Sequence, residues 1–383
     1  MRLLLFKGPV ESLNHFIDEL NLQFQMMGHD TLISDVTHFN GSEVMSFCGE
    51  PMQAVICYDG FCAFDREICN ALNTTMINIF MDHPMSFASC MVDPPDRYIQ
   101  LMPDEHHIKF ARRFYHIKNG FFLPHMASLS KGISQEESLI KKEISLLFPG
   151  NYRPVNELYR DINERFENST ANTLALLVLE YLIANPSETM EDAFDKCVAD
   201  NQMEMPDELM AYFLDHAKLL DHFIRMYYRS KVLGTIIKAG LPVTIVSEGW
   251  HAFPPAAAKN VTIMPETVFT GIFPYMEKSN ITLNVMPWFK AGTHDRIFNA
   301  LLHNSCPLTD KSTWLVEHLE ENVECAYYSL EELDKLPDQI YRILNDPDLQ
   351  RKIIRNGREK VLNNYTSRQI AEGILGFLDK ELE

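Results

Sequence analysis

Basic residues are scarce in this chain: 34 Lys and Arg stand against 53 Asp and Glu, a formal net charge of −19. A protein that grips nucleic acid needs a cationic face for the phosphates, so this balance argues against a nucleic-acid partner. Long apolar runs are missing as well. The most apolar stretch, TLALLVLEYLIA at 173 to 184, is interrupted by Glu180 and falls short of the ~20 residues that a membrane span requires. The opening MRLLLFKGPVE is apolar only as far as Lys7 and Gly8, which fits a first buried strand and not a leader peptide. Eight cysteines form no CxxC pair and no Cys/His grouping at zinc spacing, and are expected to be reduced core thiols of a cytoplasmic protein. Neither FKGPVES nor VSEGWHA supplies the GxGxxG turn of a nicotinamide-binding unit.

What the chain does contain is alternation. Its 383 residues, 46% hydrophobic and 23% charged, fit a globular protein of about two domains on a prior of roughly 150 residues each. Residues 1–130 run strand, helix, strand: RLLLF, then a helix from 10 to 28, TLISDV, QAVICYDG and TMINIFMDHP, with YIQLMP and FFLPHM continuing the unit. Such spacing marks a parallel sheet with helices on its faces. The first helix carries Leu13, Phe16, Ile17, Leu20 and Phe24 on one side and stops near Gly28. Residues 131–235 read as a helical insertion without strands. Between 161 and 215 it holds thirteen acidic residues against Arg165 and Lys196, a solvated acidic face that also leaves room for docking a protein partner. From 236 to 365 the alternation returns in PVTIVSEGW, NVTIMPET, ITLNVMP, CPLTD and VECAYYS, and a helix over 366–383 is expected to reach back to the first unit. The fold class is α/β, with two doubly wound parallel sheets facing a cleft; open sheets of this kind bind ligands outside the carboxyl ends of their strands.

The stretch AGTHDRIFNALLHNSCPLTD, 291–310, concentrates groups suited to an anion. After the strand ITLNVMP and the loop WFKAG, Thr293 stands where an N-cap belongs, His294, Asp295 and Arg296 open a helix, and Ile297, Ala300 and Leu301 form its buried stripe. A glycine loop entering a helix N-terminus offers backbone N–H groups and the positive end of the helix dipole to a phosphate. Gly292, His294 and Arg296 are therefore candidates for holding a diphosphate, with Lys290 just before them. Ordinary first-turn dipole matching by Asp295 and a surface ion pair for Arg296 explain the same residues without a ligand.

The run from NITLNVMP to the tyrosine before Thr366, with its combined pattern LN, P, G, HDR, FNAL and LTD, resembles the carboxyl half of bacterial glycosyltransferases of the GT-B fold, in particular those similar to spore-maturation CgeB-like proteins. The resemblance is dense over 236–366 and sparser in the first half, where IFMDHP and FLPH carry it. It implies two Rossmann-like domains and transfer of a sugar from a nucleoside-diphosphate sugar, UDP being the expected nucleotide. Donor is then bound by the second unit and acceptor mainly by the first. No cofactor beyond that substrate and no metal site are expected, because Arg296, His294 and helix amides can meet the charge of the leaving diphosphate. Many enzymes of this superfamily carry two glutamates eight positions apart here; alignment puts Ala291 and Asn299 in their places, so both carboxylates are absent and the stereochemistry stays open. Asn304 replaces the usual glycine after the helix, and asparagine also adopts that left-handed cap.

The remaining candidates follow from strand ends. Asp82 and His83, after TMINIF, are the leading candidates for the base that takes an acceptor proton, and Asp59, after AVICY, is the next; turn chemistry before Pro84 explains Asp82 equally well. On the donor side stand Gly8 after the first strand, Glu248 and Gly249 in SEGWH, Glu266 within Met264 to Thr267, and Gly292, Thr293, His294, Arg296, Asn299, Asp310 and Lys311. Asp310, ending CPLTD, is expected to face the cleft, or else to cap the helix near Ser312. Two rivals share the architecture: a nonhydrolysing sugar-nucleotide epimerase, and a protein that binds a nucleotide sugar without turning it over. Nucleotide release and a need for acceptor separate the three.

Overall fold

The structure is a computed structural model and describes residues 1–129 and 141–382. The boundary expected between 130 and 131 lies outside the described residues.

Six strands form the first sheet: β1 (Arg2–Lys7), β2 (Asp30–Asp35), β3 (Ala54–Tyr58), β4 (Thr75–Ile79), β5 (Tyr98–Met102) and β6 (Gly120–Phe122). They are ordered β2-β1-β3-β4-β5-β6, every pair parallel. Helices cover both faces, which is why RLLLFK and AVICY are apolar without alternation. A second sheet contains β7 (Ile144–Phe148), β8 (Val243–Val246), β9 (Val261–Met264), β10 (Ser279–Leu283), β11 (Cys306–Asp310) and β12 (Ala326–Tyr328). Its order is β12-β11-β10-β7-β8-β9, again parallel throughout. The chain reverses its winding between β1 and β3 in the first sheet and between β7 and β10 in the second. At such switch points neighbouring connections leave in opposite directions and open a crevice.

One strand departs from the sequence reading. No strand was expected within 131–235, yet β7 sits in the middle of the second sheet, paired with both β10 and β8. ISLLF is a five-residue run, apolar except for Ser145 and flanked by a charged segment, and periodicity cannot tell so short a run from a helical one. The rest of that region is helical: five helices between Val155 and Lys238 form one long crossover from β7 to β8. Leu174, Val178, Phe213 and Val232 fill its core while most of its acidic side chains face solvent.

The last helix, Ser367–Leu382, leaves the second unit and packs on helix Glu11–Met26 of the first. Ile370, Ala371, Ile374 and Leu378 join Leu13, Phe16, Ile17, Leu20 and Phe24 in a single cluster under the first sheet. Further ties are polar. The Ala127 amide donates to Tyr365 O at 2.8 Å, and the Asp104 carboxylate accepts the Ala291 amide at 2.8 Å. These contacts fix the carboxyl ends of the two sheets opposite each other. Ile374 has no exposed surface, so Ile374→Ala removes buried methyl groups and leaves a void. The expected loss is about 2–5 kcal/mol of unfolding free energy, read as a lower urea midpoint.

Candidate active site

A cavity of about 440 Å³ opens between the sheets. Its second-unit wall comes from Pro149 after β7, Val246 and Ser247 at the end of β8, Glu266 to Phe269 after β9, and the start of helix Asp295–Leu302. Opposite stand Val10 and Ser12 after β1, Asp59 after β3, Asp82 after β4 and His125 after β6. Carboxyl ends of both sheets thus meet across it, as the two switch points require.

The Asp295 helix begins one residue later than the sequence suggests. His294, not Thr293, is the N-cap, with extended backbone and its ring beside the Arg296 amide. Thr293 is occupied elsewhere: its amide donates to Pro103 O at 3.3 Å across the unit boundary, and it has no exposed surface. His294 Nδ1 lies 3.2 Å from the Arg296 amide but only 2.7 Å from Asp295 Oδ1. A carboxylate oxygen needs a donor, so the shorter contact sets Nδ1 as protonated. Burial lowers the His294 pKa although Asp295 opposes it. For Asp295, burial works upward but His294, His125 and Arg296 outweigh it and hold the carboxyl well below its ordinary range. The Arg296 guanidinium is positioned from behind. Nη1 donates to Asn284 Oδ1 at 2.6 Å, and Asn284 Nδ2 donates to Thr309 Oγ1 at 2.9 Å, both inside the sheet. The remaining donors of a fixed cation line the cavity, an arrangement suited to an oxyanion.

The first-unit wall separates two carboxylates that the sequence ranked in the other order. Asp82 is bound to Arg225 at 2.8 Å. Burial alone pushes its carboxyl up, but Arg225 and the nearby histidines reverse this and its pKa is lowered. Among the described residues no cation pairs with Asp59. One oxygen accepts the Met81 amide at 2.9 Å, and burial pushes the carboxyl up to about 7, with the Met81 bond opposing and Asp82 adding to the rise. Asp59 is also at φ +50°, in the left-handed region that Asp and Asn tolerate best. His83 does not line the large cavity. Its ring is buried against His107 and Phe110, at 4.5 and 4.6 Å between centroids, and caps a short helical segment through the Met85 amide. It borders a separate, smaller space of about 30 Å³, room for one water. His125 does line the cavity, and sequence reading quoted its FLPH segment without singling it out. It is 4% exposed, burial drives its pKa down to about 4, and neither ring nitrogen has a partner among the described residues.

Other expected donor residues divide between the cavity and its supports. Glu266 and Asn299 line the cavity. Asn299, standing where the superfamily has a glutamate, is tied down on both ends: Oδ1 accepts the Ser128 amide at 2.8 Å and Nδ2 donates to Asp295 at 3.0 Å. Gly292 is pressed between units, where an added Cβ would sit 2.1 Å from Pro103 O. Gly8 is closed back on Asn14, which accepts from its amide and donates to its carbonyl. Gly249, at φ +85°, has Tyr152 O 1.8 Å from where a Cβ would stand, so it makes a tight turn, with Glu248 exposed beside it. Asp310 does not face the cleft: it is buried, accepts the Met286 amide at 2.8 Å, and borders a neighbouring pocket with Lys290 and Lys311. Burial raises its carboxyl to about 6. Lys311 pairs with Glu321 at 3.3 Å. Among the described residues no group of three or more His, Cys, Asp or Glu is set to hold a metal ion.

Residues 229–376 match the family described as Glycosyl transferase-like. In fold the whole chain is similar to a glycosyltransferase from Rickettsia africae, with a TM-score of 0.52 at 11% identity, covering 100% of this chain and 98% of that one. It is likewise similar to sucrose-phosphate synthase from Thermosynechococcus elongatus, TM-score 0.55 at 9% identity over 100% and 99% of the two chains. Anabaena HepE, solved in complex with UDP-glucose, gives a TM-score of 0.54 at 9% identity over 99% and 100%. Comparison with curated proteins gives no match. The two parallel sheets are those of the GT-B fold, and with the family match the enzyme class is glycosyltransferase.

The raised Asp59 carboxyl has a consequence for stability. The folded state holds this proton to about pH 7 while the unfolded chain releases it near pH 4, so Asp59 costs stability as pH rises through that window. Asp59→Asn keeps the left-handed backbone and the acceptor for Met81. Relative to wild type it should gain stability between pH 4.5 and 7.5 in urea unfolding, and a pH-independent difference would show that Asp59 titrates normally.

Proposed function

We propose that the protein moves a sugar from a nucleoside-diphosphate sugar, with UDP as the nucleotide, to an acceptor hydroxyl presented from the first-unit side of the cavity. The observation that carries this reading is the Arg296 guanidinium, held by Asn284 at the head of a helix and facing Asp59 and His125 across the cavity. The acceptor oxygen gives its proton to Asp59 and bonds to the anomeric carbon. The bond from that carbon to the diphosphate oxygen breaks, and the departing charge falls on Arg296, with the helix N-terminus behind it and no divalent ion required. Asp59 suits the proton transfer better than Asp82, since a base near the working pH accepts a proton in the transition state more readily than one stabilised as a carboxylate by Arg225. His125, neutral and without a hydrogen-bond partner among the described residues, supplies one N–H and one lone pair for sugar hydroxyls.

Support for UDP comes from the Anabaena protein solved with UDP-glucose. The HDR helix and its LTD strand favour the CgeB-like bacterial group within the class. Eight free thiols fit a reducing compartment such as the cytoplasm, and among the described residues no helix is long and apolar enough to cross a membrane.

A thermal-shift panel of UDP, GDP, dTDP, CMP, ADP and NAD tests the donor. A nucleotide at 100 times its dissociation constant adds about 2.7 kcal/mol to the folded state, a clear rise in Tm. UDP should give that rise, and Arg296→Ala should weaken its binding about tenfold to a hundredfold, the worth of a hydrogen bond to a charged group. In turnover assays the acid limb of kcat/KM should fall near pH 7 and vanish with Asp59→Asn. A shift with NAD alone, or UDP affinity unchanged by Arg296→Ala, would sink the assignment.

A further inference from the structure

A second pocket, of about 360 Å³, lies on the other side of Asp82, between the β4 turn and the helical crossover. Asp82 lines both this pocket and the large cavity, so the two adjoin at that residue. Within the pocket most charges are already matched. Arg225 binds Asp82 and Asp221, each at 2.8 Å, and Arg153 binds Asp161 at 2.8 Å and Glu157 at 3.6 Å. The lining's four cations outnumber its three carboxylates by one, and two of the four stand apart from these pairs. Arg165, at the end of helix Val155–Arg165, and Lys218, at the start of helix Lys218–Lys238, form no ion pair among the described residues, and both are exposed. His222 lines the same pocket as a neutral donor, burial having lowered its pKa.

The surroundings make this unusual. From 161 to 215 the chain has thirteen acidic residues and only Arg165 and Lys196 as cations, and Lys196 is spent on Asp200 at 3.0 Å. The one remaining cation of that acidic segment therefore points into the pocket that touches the reaction cavity. Resting on the transferase reading above, we infer that this pocket binds a phosphate ester carried by the acceptor, through Arg165, Lys218 and His222, so that a hydroxyl of the same molecule enters the cavity past Asp82. A guanidinium fork, an ammonium and an imidazole from three positions suit the three free oxygens of a phosphate better than the two of a carboxylate. The acidic exterior then discriminates: an anion is repelled everywhere on this face except at the pocket.

Isothermal titration of the full-length protein, saturated with UDP so that the donor site is filled, against glycerol 1-phosphate decides the matter. Wild type should bind, and the double variant Arg165→Gln/Lys218→Gln should bind at least tenfold more weakly with its UDP affinity unchanged. Both side chains are exposed, so the fold is kept. No binding by UDP-saturated wild type, or equal binding by the double variant, would overturn the inference. So would glycerate binding as tightly as the ester, or loss of ester binding on Arg296→Ala, which would put the phosphate in the donor cavity. Failure of the transferase reading looks different: UDP itself does not bind, and titration of the nucleotide-free protein and the double variant still reports on the pocket. Vesicles carrying phosphatidylinositol 4-phosphate, whose headgroup has a phosphate monoester and free hydroxyls, in place of the soluble ester separate the sources. Cosedimentation that the double variant loses assigns a lipid headgroup, and ester binding without cosedimentation assigns a soluble acceptor.

Discussion

The geometry of the cavity depends on one carboxylate. Asp104 has no exposed surface, and its two oxygens accept the amides of His106 on its own side and Ala291 on the other, at 2.7 and 2.8 Å. A polar group so deeply buried is tolerable only when hydrogen-bonded, and here satisfying both oxygens requires the two units to stay together. Gly292 follows from this contact, because no side chain fits where Pro103 O approaches the loop. So does the setting of the Asp295 helix, whose N-cap is the second residue after that glycine. A glycine before a helix that looks like a phosphate turn in sequence lets two backbones touch here.

Arg225 is the second point of convergence. Its guanidinium is paired with Asp82 of the first unit and Asp221 of its own helix and lies 3.9 Å over the ring of Trp288, which follows β10. Three layers of the molecule therefore share one cation. The pairing also sorts the carboxylates at the strand ends. Asp82 is kept ionised while burial pushes Asp59 toward neutrality, the kind of divergence by which one site obtains groups with different proton affinities.

Much of this was legible in the residues, and the failures have physical causes. Strands that are buried on both faces and bounded by turns, such as AVICY and CPLTD, announce themselves, as does the amphipathic stripe of helix Glu11–Met26. ISLLF did not, because five residues, four of them apolar, carry no period that distinguishes strand from helix. Arg225 lay hidden in a long helix where charges are read as solvent-facing by default, although 11 of that helix's 21 residues are buried, Asp221 and Arg229 among them. Position at a strand end singles out both Asp82 and Asp59 but does not reveal which of them a distant arginine reaches. Asp310 illustrates the converse: its position at a strand end is right, but the Met286 amide claims it, a partner 24 residues away that spacing alone does not reveal.

Helix Ser367–Leu382 completes a core whose other members lie before residue 129, and everything from β7 to residue 364 is threaded between the two parts. During synthesis, then, the first sheet leaves the ribosome early but with the outer face of helix Glu11–Met26 bare. The second unit, from β7 through helix Pro347–Asn364, has its whole sheet in hand sooner than the first has its final layer. The order of emergence and the order of completion are inverted, so the part made first is the part sealed last.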